Sequence, residues 1–154
     1  MSDLVEFLRD RLDEDEQTAR AAADENQMPS WELLNGEYVT GIGLSGMHTE
    51  GYVDEACGVH IARHDPARVL AEVDAKRRII DEVASLPHVY IDDRYFSCSQ
   101  AVESPGDEPG SGCDDDGRAG QPCDCGLARR QTTLLALLAL PFANHESWRE
   151  EWRP

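Results

Sequence analysis

Apolar residues recur at helical spacing in three stretches of the chain. Leu4, Leu8, Leu12, Ala19 and Ala23 fall on one face, with Val5 beside it, and predict a helix over roughly residues 3–25. Asp3, followed three residues on by Glu6, is a capping-box start for it. Val69, Leu70, Val73, Ile80 and Val83 predict a second helix. Asp65-Pro66 opens it, because the Asp oxygens accept free N–H groups and proline has no N–H to lose, and it runs to about Ser85, before Pro87. Leu127, Leu134, Leu135, Leu137, Leu138 and Leu140 mark a third helix over about 126–140, with a stripe broad enough for the centre of a core. Arg9/Asp13, Arg11/Asp15, Glu16/Arg20, Glu72/Lys76 and Asp74/Arg78 have the spacing of ion pairs within a helix.

Strand signals fall between these stretches. Trp31–Leu34 and Glu37–Thr40 flank Asn35-Gly36, two residues that tolerate the positive φ of a type I′ hairpin turn. Val59–Ala62, His88–Ile91 and Arg94–Phe96 are short further candidates. A helical turn after Asn144 carries Trp148 and Trp152 on one side. Residues 97–122 are rich in Ser, Gly, Pro and Asp without apolar periodicity, which predicts a long mobile polar loop. The expectation is an α+β fold, three helices packed on a small antiparallel sheet, in a single domain over 1–154 with that loop before the last helix.

Charge narrows the function classes. The 154 residues hold 31 acidic and 14 basic side chains, a formal net charge of −17. A surface that contacts phosphates must be positive, so direct nucleic-acid binding is not expected. The charge favours solubility as a solvated acidic surface, or a basic protein partner, and a DNA mimic that blocks a DNA-binding protein is the sharpest form of the second reading. The longest apolar stretch, Leu134 to Ala143, is too short to span a bilayer and contains Pro141, so no membrane association is expected. The opening MSDLVEFLRDRLDEDE has acids where a secretion signal needs basic and then apolar residues, and the expected location is the cytoplasm. There the five cysteines are expected as free thiols or metal ligands.

The best candidate for chemistry is Cys98, Cys113, Cys123 and Cys125. Four thiolates could hold zinc tetrahedrally, and zinc would order a loop that has no core of its own. The spacing departs from the paired pattern of zinc fingers, and His88 is a substitute ligand. Cys123 and Cys125 precede the third helix, where a helix N-terminus acidifies thiols. His60 and His64 have metal-pair spacing but no Glu between them in the metalloprotease arrangement, and His64, Asp65 and Arg68 fit the organisation of a helix start. No phosphate loop, dinucleotide fingerprint or nucleophile elbow occurs, and no nucleophile–base pair stands out, so the expectation leans away from an enzyme. Trp148 and Trp152 either dock on the core or anchor a protein partner.

HIARHDPARVLAEVDAKRRIID from His60, LLALLALPFANHESWREEWRP from Leu134 and LVEFLRDRLDEDEQTARAA from Leu4 resemble a family of small acidic proteins of unknown function in actinobacteria and actinophages. The resemblance implies a cytoplasmic, single-domain protein of actinobacterial origin and carries over no catalytic residue. The functional expectation is a non-enzymatic accessory or protein-interaction domain. The alternatives are a zinc-stabilised regulatory module using the late cysteines and an acidic DNA mimic.

Overall fold

A computed structural model of the chain describes residues 2–26, 29–34, 38–41, 54–91 and 94–154. Four helices dominate: α1 (Ser2–Asn26), α2 (Glu55–Arg63), α3 (Pro66–Ser85) and α4 (Leu127–Ala139). The strands β1 (Trp31–Leu34) and β2 (Tyr38–Gly41) pair with each other and, among the described residues, with no other strand. This overturns the α+β expectation of three helices on an antiparallel sheet: the fold is mostly helical, and one hairpin is too small a platform to carry them. The chain divides into two compact units, Glu6–Ile79 and a second formed by Met1–Val5 with Ile80–Pro154.

In the unit Glu6–Ile79, α1 buries Phe7, Leu8, Leu12 and Ala19, the predicted face with Phe7 added. Of the ion pairs expected within α1, Arg20 bonds Glu16 at 2.8 Å, but Arg11 turns to Glu14 at 3.0 Å. Asp13 and Glu16 also reach across to Arg77 of α3, at 2.5 and 2.6 Å. Within α3, Asp74 meets Arg78 at 2.8 Å as spaced, whereas Glu72 takes Arg68 at 2.7 Å.

The hairpin pairs Trp31 with Gly41 and Leu34 with Tyr38. That register leaves three residues between the paired ends, one more than a type I′ turn holds; the turn itself lies outside the described residues. Val59–Ala62, expected as a strand, belongs to α2. A four-residue apolar window cannot separate the strand period from the helix period. Here Gly58, Val59 and Ala62 line up at helical spacing, and α2 packs on both strands. Gly58 permits the approach, because a Cβ there would run into Leu33 Cδ1. Asp65 caps α3 as expected: its Oδ1 accepts the Arg68 N–H at 2.8 Å, and its Oδ2 accepts the Trp31 N–H at 3.2 Å, which ties the hairpin to the helix start.

In the second unit, the expected strand His88–Ile91 is a stretch with neither helix nor strand and Arg94–Phe96 is a 3-10 turn; Asp92-Asp93 lies outside the described residues. Their hydrogen bonds close a loop and extend no ladder: Ile91 N–H donates to Ser97 Oγ at 2.9 Å, and Cys98 N–H to the Val89 carbonyl at 2.8 Å. Residues 97–122 contain neither helix nor strand. Their turns hang on the Ala101 carbonyl, which accepts from Gly110 and Gly112 at 3.1 and 2.9 Å. Gly110 has φ +94°, and a Cβ on it would strike the backbone of Gly120. In α4 only Gln131, Leu135, Ala136 and Ala139 are buried, while Leu134 and Leu137 are 45% and 49% exposed. The broad leucine stripe expected at the core's centre is therefore a narrow one, with leucines left on the solvent side. The buried Gln131 amide donates to the Val83 carbonyl at the end of α3, at 2.8 Å.

Candidate metal centre

The second unit brings four potential ligands together from three places in the chain. His88 lies just past Pro87, in the segment that follows α3. Cys98 sits where the loop closed on Val89 returns, so the pairing of residues 89 and 98 puts its thiol beside the imidazole. Cys123 and Cys125 flank Asp124 immediately before α4.

The atoms stand close to one another. Cys98 Sγ is 3.5 Å from His88 Nδ1, and Cys125 Sγ is 3.6 Å from the same nitrogen. Cys98 and Cys123 sulfurs are 3.9 Å apart, and those of Cys123 and Cys125 are 3.6 Å apart. All four ligand atoms lie within 4.8 Å of one another. With Zn–S near 2.3 Å and Zn–N near 2.0 Å, a tetrahedron has S···S edges of about 3.8 Å and S···N edges of about 3.6 Å. Four of the six edges, from 3.5 to 3.9 Å, match those lengths, and no pair of ligand atoms lies further apart than 4.8 Å. A two-iron cluster would have to spread the four ligands over two metals. Among the described residues this is the one group of three or more such side chains that could hold a metal ion.

Local electrostatics suits a cation. Burial pushes the Cys123 thiol up, but the Ala128 backbone N–H and the thiols of Cys125 and Cys98 outweigh it and bring the pKa to about 6. The amide of Ala128 points out of the first turn of α4, whose cap residue Gly126 offers no side-chain acceptor, so sulfur stands in for the missing cap. Cys98, 2% exposed, is shifted the other way by burial. Asp124 is held down at about 2, first by its hydrogen bond with Arg118 and then by the Ser99 N–H.

The other cysteines lie apart from this group. Cys113 is buried, with its thiol 3.9 Å from the Asp115 carbonyl, and His88 stands at the place among the ligands that the cysteine-only set gave to Cys113. Cys57 is exposed on α2. The His60 and His64 rings are 4.5 Å apart at the end of α2, with no third ligand among the described residues. Trp148 and Trp152 are half-buried and meet edge to face at 5.8 Å. Arg149 lies over the Trp152 ring at 5.2 Å and pairs with Asp3 at 2.8 Å. Sequence reasoning missed Arg118 and Asp124, which surround the ligands with hydrogen bonds; neither lies in a periodic element, so spacing carried no sign of them.

A family model matches residues 1–154 throughout. The chain belongs to DUF6221, a family of unknown function. No curated protein and no solved structure matches this DUF6221 chain. No helix among its described residues is long and apolar enough to cross a membrane.

Proposed function

We propose that this DUF6221 protein is a non-enzymatic interaction module whose second unit is stabilised by one zinc ion, held by His88, Cys98, Cys123 and Cys125. The observation that carries the reading is the near-tetrahedral spacing of three sulfurs and one imidazole nitrogen. Soft thiolates with one imidazole favour zinc over magnesium or calcium. Four protein ligands close the coordination sphere, as structural zinc sites do, whereas catalytic ones keep a position open. The interaction role is supported by apolar side chains that the second unit leaves in solvent, among them Val89, Ile91, Phe96, Leu134 and Leu137. The half-buried Trp148–Trp152 pair is the candidate anchor for a protein partner, and the excess of acidic residues favours a basic one.

Elemental analysis of protein purified without added metal tests the zinc reading. One zinc per chain is expected, lost in Cys98→Ser. Metal-free protein that gains no stability from added zinc would count against it. For the tail, Trp152→Ala should weaken partner capture more than it lowers the melting temperature; lowered stability with capture intact assigns the rings to packing.

A further inference from the structure

We infer that Arg118 and Asp124 are positioning residues of the metal centre, which clasp the Cys98 segment to the Cys123–Cys125 segment so that the ligands stand at tetrahedral spacing before an ion arrives. The inference rests on reading the four side chains as a zinc site.

Two of the three ligand-bearing segments are separated by a long stretch of coil, from Cys98 to Cys123. Nothing in helix or strand geometry sets their distance. The Arg118 guanidinium does so with a single fork. Its NH1 donates to the Tyr95 carbonyl at 2.5 Å, and its NH2 to the Ser97 carbonyl at 2.9 Å. Its Nε and NH2 both reach Asp124 Oδ2, at 3.1 and 2.6 Å. The second carboxylate oxygen of Asp124 accepts the Ser99 N–H at 3.1 Å. The backbone on both sides of Cys98 is therefore tied to the one residue that separates Cys123 from Cys125. Ser99 adds a second tie, its hydroxyl lying 3.1 and 2.9 Å from the Gln121 and Pro122 carbonyls. The Gly120 N–H returns to the Ser99 carbonyl at 2.8 Å.

Charge gives the pair a further task. A carboxylate between two thiolates repels them, and the Arg118 cation neutralises it. Lysine could supply the charge but not the planar fork that spans two carbonyls and a carboxylate. Outer partners of metal ligands commonly set affinity by about 10- to 100-fold without touching the ion.

The test is competition of the full-length protein with a chromophoric chelator for zinc, together with the absorption spectrum of the cobalt(II)-loaded form. Arg118→Gln and Asp124→Asn are each expected to weaken zinc binding by about 10- to 100-fold. The cobalt spectrum at saturation should stay that of a tetrahedral three-sulfur, one-nitrogen site, because every ligand remains. The double variant should lose little more than either single one, because the two side chains act as a unit. Arg118→Lys should restore only part of the affinity. If Arg118→Gln does not fold, the near-isosteric Asp124→Asn carries the test alone. Zinc affinity unchanged in these variants, or losses that simply add, would overturn the inference while leaving the zinc site standing. A parent protein that binds neither zinc nor cobalt tetrahedrally would overturn both.

Discussion

Cys98 and Cys123 show how neighbouring thiols acquire different proton affinities. Cys98 is sealed from water and holds its proton more tightly than a free thiol, whereas Cys123, taking the Ala128 N–H, releases its own near pH 6. Zinc loading at pH 7 should therefore release protons, Cys98 being a main source, and the count should fall as pH rises. Potentiometric titration of the metal-free protein with zinc checks this; no release at pH 7 would contradict the assignment of Cys98 as a ligand. Removing single side chains separates the group from its neighbours. His88→Ala and Cys125→Ser should each lower zinc content, while Cys113→Ser should leave it unchanged, as read by elemental analysis. Asp124 adds a pH dependence of its own. Its carboxyl lies at about 2, below the unfolded value of about 3.9. Its contribution to stability is thus complete above about pH 4 and is lost as pH falls through about 2. Equilibrium unfolding of the metal-free protein across that range should lose part of its acid dependence in Asp124→Asn.

At the scale of elements, helices were legible where the apolar stripe is long. Asp65-Pro66 placed the start of α3, and Leu8, Leu12 and Ala19 placed the inward face of α1. Short windows failed for a physical reason: over four residues the two periods coincide, so Val59–Ala62 looked like a strand while Gly58 was already marking a helix pressed against Leu33. Gly58→Ala should change stability by less than about 1 kcal/mol, measured by chemical denaturation, because the gain in helix propensity offsets the displacement of the Leu33 methyl. In α4, a run of leucines concealed which ones face inward. Leu135→Ala should cost about 2–5 kcal/mol, and Leu137→Ala no more than about 0.5 kcal/mol. Equal costs at the two positions would mean that α4 is covered on both sides. The metal ligands were half legible. Cysteine counting found Cys98, Cys123 and Cys125 and offered His88 as a substitute, but the choice of His88 over Cys113 depends on the bond between Cys98 and Val89, a contact no spacing rule encodes.

At the scale of the molecule, the two units draw stability from different sources. Glu6–Ile79 has a hydrophobic interior around Leu8, Leu12, Val39 and Val73. The second unit carries a long stretch without helix or strand, whose buried members are small: Ser97, Ser99, Ala101 and two cysteines. Such a segment has little apolar surface to offset its conformational entropy, and the proposed zinc would supply what the core does not. Chelation should raise amide exchange across residues 97–125 and the start of α4, with little change across residues 54–79, as followed by hydrogen-exchange mass spectrometry. The central claim is that one ion is held by three sulfurs and one imidazole nitrogen. X-ray absorption at the zinc edge measures this most directly. The account predicts about three sulfurs near 2.3 Å and one nitrogen near 2.0 Å. A shell of oxygen and nitrogen alone, or of four sulfurs, would contradict it.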